Sequence, residues 1–189
     1  MTPILLSGPA IEPAPLVEAK AWLRVDHNSD DDLISALITA ARLTLEAATR
    51  SMFNTQSWRL VYDQWPGGDV FAIPLAPFLT LDGMRVRDAA NVAAVVPPAS
   101  YVLDSAPGSA RIAFTIAPPA PGRAIGGIEI DVSVGFGAAA ADVPAALRLA
   151  IKMLAARWYE NRGDAVSDAE ALPADIASVI APFRRPRLA

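Results

Sequence analysis

The chain has 189 residues, 53% hydrophobic and 19% charged, which is apolar enough for one ordinary core and too apolar for a disordered chain. Its formal charge of −4 disfavours a general nucleic-acid binder, which would be basic. With no cysteine and a single histidine, His27, it has no thiol nucleophile, disulfide framework or zinc–thiolate site, and a catalytic triad would have to use His27.

Pro3, Pro9, Pro13 and Pro15 make residues 1–15 an extended arm, without the basic start of a signal peptide. A short helix is expected from Pro15 to Val25, broken by Asp26-His27-Asn28-Ser29. The next helix, from Asp30 to Ser51, is the clearest element. Ser29 is the expected N-cap, and Asp30, Asp31 and Asp32 sit at the positive end of the helix dipole. Ser35, Thr39, Arg42 and Glu46 form one narrow polar stripe on it. Leucine, isoleucine and alanine cover most of the rest, so the helix needs partners on more than one side.

The period then shortens to two. Gln56–Asp63 alternates, with Trp58, Leu60 and Tyr62 on one face, and Trp65-Pro66-Gly67-Gly68-Asp69 is a turn. Further strands are expected at Val70–Ile73, Phe78–Val86 (with a break at Leu81-Asp82-Gly83), Tyr101–Asp104, Arg111–Ile116 and Ile128–Val134. Residues 87–100 read as a loop. Helical period returns after Gly137, with Asp142 as the expected N-cap of a helix running to Asn161. Leu147, Ile151, Leu154 and Trp158 form one apolar stripe on it; Leu149, Met153 and Ala156 form a second, nearly opposite. A short helix follows from Pro173 to Ala181. No uninterrupted apolar run of about 18 residues predicts a membrane-spanning helix.

The order helix, helix, β unit, helix, helix gives an α+β class: a small helical bundle with an inserted antiparallel β unit. The divisions are an arm at 1–15, a discontinuous bundle at 16–55 and 138–182, the β unit at 56–137, and a tail at 183–189.

Few residues offer chemistry. Gly135-Phe136-Gly137 with Ala140 matches a dinucleotide fingerprint after a strand, but the helix starts several residues too late and no acidic residue ends a second parallel strand. A strand-to-helix joint explains these glycines. Asp26, His27 and the three consecutive aspartates do not converge as metal ligands, because adjacent helical residues point apart; helix capping explains them. Glu160 and Arg162 lack a visible acid/base partner or cleft. No catalytic residue, metal ligand or cofactor site is assigned. The dense basic cluster Arg184, Arg185 and Arg187 is either a solvated tail or a docking peptide. In the second case Phe183 and Leu188 are its anchors, Pro186 keeps it extended, and the arginines pair with a partner's carboxylates.

Several stretches together carry a resemblance. They are Leu16-Val17-Glu18-Ala19-Lys20-Ala21-Trp22-Leu23-Arg24-Val25, Asp30-Asp31-Asp32-Leu33-Ile34, Ala40-Ala41-Arg42 and Phe53-Asn54-Thr55-Gln56-Ser57-Trp58. Val134-Gly135-Phe136-Gly137, Asp142-Val143-Pro144, Leu147-Arg148-Leu149-Ala150-Ile151, Trp158-Tyr159-Glu160-Asn161-Arg162 and Pro182-Phe183-Arg184-Arg185 follow in order. The sequence resembles the head–tail connector, or adaptor, proteins of long-tailed phages and phage-derived gene transfer agents, over nearly its whole length. Residues 87–100 match no pattern of that family.

The resemblance implies a non-enzymatic structural protein of the virion or particle neck, assembled in the host cytoplasm. Such proteins form an oligomeric ring, usually a dodecamer, beneath the portal. The ring extends the DNA channel and receives a stopper or tail-completion protein, and DNA passes through it without specific binding. By the resemblance, Phe183, Arg184, Arg185 and Arg187 would dock on the portal, and Trp158, Tyr159 and Arg162 would lie near the subunit interface. No cofactor and no membrane are implied. The alternative from another class is a small-molecule-binding or enzymatic α+β domain that uses the β unit as a pocket. A ligand that stabilises the fold by mass action would mark that case.

Overall fold

Two stretches far apart in sequence, Ala10–Asn54 and Gly137–Ala189, build a helical unit, and Met1–Pro9 with Thr55–Phe136 build a β unit. The computed structural model describes residues 1–68, 70–105, 109–161 and 172–185. The class is α+β, as the order of periods predicts.

The helical unit holds α1 (Leu16–Leu23), α2 (Asp31–Thr49), α3 (Ala145–Glu160) and α4 (Ala174–Ile180). Pro15 precedes α1 in extended backbone, which fixes where that helix begins. Both α1 and α2 end on an arginine in the left-handed region, Arg24 at φ 58° and Arg50 at φ 56°. That turn lets the N–H of Val25 reach Lys20 O at 3.0 Å and that of Ser51 reach Glu46 O at 3.3 Å, which satisfies carbonyls at the helix ends. The core lies where α2 packs on α3. Ile34, Ile38, Ala41 and Leu45 of α2 are fully or almost fully buried, as are Leu147, Ile151 and Leu154 of α3. Each large side chain so buried contributes about 1.5–3 kcal/mol.

The helix starts differ from the sequence expectation. Neither Ser29 nor Asp30 caps α2 with its side chain. Tertiary partners take the aspartates instead: Asp31 accepts from Lys20 Nζ at 2.6 Å, and Asp30 accepts from the Tyr159 hydroxyl. Asp142 does not start α3 either. It closes a single 3₁₀ turn, Ala140–Asp142, with its Oδ2 accepting the N–H of Ala139 at 2.8 Å, and Pro144 precedes α3. The glycine-rich joint is built tightly around this aspartate. A Cβ on Gly137 would stand 2.3 Å from Asp142 Oδ2. Asn54 bridges Gly137 and donates to Ala139 O at 3.3 Å.

The β unit holds two antiparallel sheets. Five strands, β1 (Thr2–Ser7), β2 (Gln56–Tyr62), β4 (Phe78–Arg87), β5 (Ala93–Val95) and β8 (Ile128–Val134), lie in the order β1-β2-β8-β4-β5. The others, β3 (Val70–Ile73), β6 (Tyr101–Asp104) and β7 (Ala110–Phe114), lie in the order β3-β7-β6. The expected break in β4 is a register shift between Leu81 and Gly83. Two expectations change here. The start of the extended arm is an edge strand, with Pro3 tolerated because one side of an edge needs no donor. Part of the 87–100 loop is β5, paired through Ala93–Val95 with β4.

Candidate interaction surfaces

The polar stripe of α2 is the first surface to test, and it faces inward. Arg42 and Glu46 are 5% and 4% exposed. Glu12 reaches them from the segment ahead of α1: its Oε2 accepts from Arg42 Nε at 2.8 Å and its Oε1 from Thr39 Oγ1 at 2.9 Å. Glu46 Oε2 accepts from Arg42 Nη1 at 2.9 Å, and its Oε1 accepts the N–H of Phe53 at 2.7 Å. Burial opposes the charge on Arg42, but the two carboxylates outweigh it and raise the guanidinium above its ordinary value. This is a structural network with both carboxylates engaged, and it holds the chain segments before and after α2.

A second charged set rivets the large sheet. β8 alternates, with Ile128, Ile130, Val132 and Val134 buried on one face. On its other face Asp131 accepts from Arg59 Nε at 2.7 Å and Arg85 Nη1 at 2.7 Å, and Glu129 accepts from Arg87 Nε at 2.6 Å. Burial would raise the Asp131 carboxyl, but the hydrogen bonds from Arg59 and Arg85 dominate and hold it below the usual carboxylate range. These charges are paired with each other across β2, β8 and β4. Phe71 and Phe114 of the small sheet form an aromatic cluster with Trp65 of the turn before β3, with centroids 4.8 to 6.3 Å apart.

The tail begins inside the fold. The N–H of Arg185 donates to Thr49 O at 3.1 Å, and its Nε donates to Ser51 Oγ at 3.2 Å. Arg50 Nη1 in turn donates to Arg185 O at 3.3 Å. The residue thus caps the C-terminal end of α2, and burial lowers its guanidinium below the ordinary value. Of the four residues expected to dock, Arg185 is therefore anchored to its own helix. Phe183 is half-buried, Arg184 is exposed, and Arg187 lies outside the described residues. The expected interface residues are similarly divided. Tyr159 gives its hydroxyl to Asp30, Trp158 is half-buried, and Arg162 lies outside the described residues.

A feature that sequence reasoning missed is an open groove of about 510 Å³ on the helical unit. Trp22 of α1, Met153 and Ala156 of α3 and Ile176 of α4 supply its apolar lining; Arg157, Glu160, Asn161 and Asp175 are its polar residues. Trp22 is 50% exposed, with Lys152 Nζ 5.8 Å from the ring centroid. The second apolar stripe of α3 was the available signal, since two of its members line this groove.

Nothing described here assembles a reacting centre. His27 is exposed in the turn between α1 and α2. Among the described residues no three His, Asp or Glu side chains are grouped to hold a metal, and no helix is long and apolar enough to cross a membrane.

Residues 14–69 match the family described as phage gp6-like head-tail connector protein. No curated protein matches in sequence. Solved structures are similar over nearly the whole chain, among them three of gene transfer agent particles. One is the neck of an empty gene transfer agent particle computed with C6 symmetry: 28% identity, 100% of this chain and 98% of that one, TM-score 0.83. Another is the virion of a native gene transfer agent particle: 27% identity, 100% and 98% coverage, TM-score 0.85. The third is the neck of a native particle computed with C12 symmetry: 28% identity, 98% and 97% coverage, TM-score 0.76.

Proposed function

We propose that this chain, which resembles phage head–tail connector proteins in sequence and gene transfer agent neck proteins in fold, is a structural adaptor of a particle neck. The observation that carries the reading is the end-to-end likeness to a neck component, with almost nothing left over in either chain. The exposed surface suits assembly better than chemistry. The paired charges of α2 and of the large sheet are spent on holding segments together, and the one histidine is out in solvent.

In this role copies of the chain form a ring below the portal, join it to a stopper or tail-completion protein, and extend the channel. The C6 and C12 symmetry of the related neck structures supports a cyclic assembly. The net charge of −4 suits a channel through which DNA slides without adhering. Portal docking falls to Phe183, Arg184 and Arg187, with Arg185 holding the base of the tail against α2.

The test is an affinity purification of the chain from its source cells under particle-producing conditions, read by mass spectrometry and electron microscopy. Co-purification of a portal and tail proteins with tailed particles is the expected result. Recovery of the chain alone, or with metabolic enzymes, would overturn the reading.

A further inference from the structure

The helical unit carries an uncovered apolar stripe as well as the groove. On α2, Leu33, Ala36, Ala40, Leu43 and Ala47 recur at alternating steps of three and four. Leu33 is 38% and Leu43 55% exposed, Ala36 and Ala47 are exposed, and Ala40 is half-exposed. The stripe lies on the side of α2 away from Ile34, Ile38, Ala41 and Leu45, the face buried toward α3. The groove lies on the side of α3 away from Leu147, Ile151 and Leu154. Stripe and groove are thus two different surfaces on opposite sides of one helix pair.

α3 repeats the same spacing on the helix face that carries the groove, which is lined by the last three members of the series. Ala146, Leu149, Met153, Ala156 and Glu160 also step by three and four. Set parallel, the two series are complementary in size. Leu33 falls beside Ala146, Ala36 beside Leu149, Ala40 beside Met153 and Leu43 beside Ala156. Each large side chain meets a small one, the arrangement that lets two helices pack closely. At the far end Ala47, again a small residue, falls beside Glu160 on the polar rim of the groove.

We infer that the α2 stripe of one copy seats in the Trp22–Met153–Ala156 groove of the next, as the repeating contact of the ring. This rests on the neck reading and gives it a specific interface. Two unlike faces on opposite sides of a subunit make a heterologous contact, which closes into a ring when the rotation allows. A self-complementary patch would instead stop at a dimer. The contact also places the copy interface away from Trp158 and Tyr159, which the fold already uses.

The absence of native cysteine makes the test clean. The full chain carrying Leu43→Cys and Ala156→Cys together, and each alone, is assembled into particles, oxidised mildly and run on a non-reducing gel. The double variant should give a ladder of multimers, and either single variant only monomer. A dimer from Leu43→Cys alone would mean stripe against stripe and would overturn the head-to-tail contact. Particles that incorporate the double variant yet yield only monomer would overturn this interface while leaving the neck reading intact. Wild-type chain absent from all particles would overturn the neck reading instead. A second variant guards against failed folding: Leu33→Arg with Leu43→Arg, both at exposed positions, should keep the wild-type thermal midpoint and cut incorporation at least tenfold. Normal incorporation of that folded variant would overturn the inference.

Discussion

Arg42 and Glu46 stand one turn apart on α2, both buried, with the guanidinium donating to the carboxylate at 2.9 Å. The carboxylate also holds the N–H of Phe53, and the guanidinium also holds Glu12, so one pair fastens three segments of the helical unit. Removing Glu46 leaves a buried cation short of a partner and a buried amide with none. Glu46→Ala should therefore cost about 3–5 kcal/mol in urea denaturation. Glu12 is more exposed and holds no backbone, so Glu12→Ala should cost about 1–2 kcal/mol. Equal costs would refute this ranking.

The sheet rivet should appear as a pH dependence. The Asp131 carboxyl titrates lower in the fold than its unfolded value of about 3.9, so the fold favours its ionised form. Its contribution is present above roughly pH 4 and is lost as pH falls through the lower folded value. Asp131→Asn should lower stability by about 2 kcal/mol at pH 7 and flatten the acid limb of the stability curve. Urea denaturation between pH 3 and 7 measures both effects. An acid limb unchanged in the variant would assign that limb to other carboxylates.

Gly137 and Asp142 should behave as one unit. A methyl group at 137 meets Asp142 Oδ2 at 2.3 Å and its Cβ at 2.6 Å, so Gly137→Ala must displace the side chain that holds Ala139. The expected cost is about 1–3 kcal/mol. In an Asp142→Ala background the cost should shrink without vanishing, because the Cβ remains. A double-mutant cycle reads the coupling, and strict additivity would mean that the joint yields elsewhere.

The alternation of Ile128–Val134 marks β8 in the sequence, because isoleucine and valine at every second position admit one strand face. The long apolar arc marks α2 in the same way. Periodicity sorts residues into faces, but it does not say which face another segment will cover. Thr39, Arg42 and Glu46 read only as a polar stripe, because their partner Glu12 lies about thirty residues upstream of Arg42. Leu33 and Leu43 belong to the apolar arc that needs partners on more than one side, and within the chain they stay exposed. Asp30, Asp31 and Asp142 suit helix N-termini, yet Tyr159, Lys20 and the Ala139 amide take their carboxylates. Pro3 argues against a strand until β2 supplies the neighbour that makes it an edge. Among the site residues, Arg184 is exposed. Arg185 is not, because its role depends on the end of α2, which no local pattern reveals.

The tail separates docking from folding. Arg185 is the last described residue held in the helical unit, through Thr49 O and Ser51 Oγ. A truncation that removes 183–189 takes this cap away as well as the basic tail, so it should lower stability by about 1–2 kcal/mol. A truncation that removes only 186–189 keeps Arg185 and should leave the thermal midpoint unchanged. If the tail docks on the portal, the shorter truncation should still reduce co-purification of the portal, because Arg187 is lost while the fold is not. The comparison needs both variants: an effect shared equally would trace to residues 186–189, and one confined to the longer deletion would trace to residues 183–185, where the thermal midpoint separates the missing cap from a lost contact. Wild-type portal recovery by the shorter form would leave Phe183 and Arg184 as the only tail residues able to carry the contact.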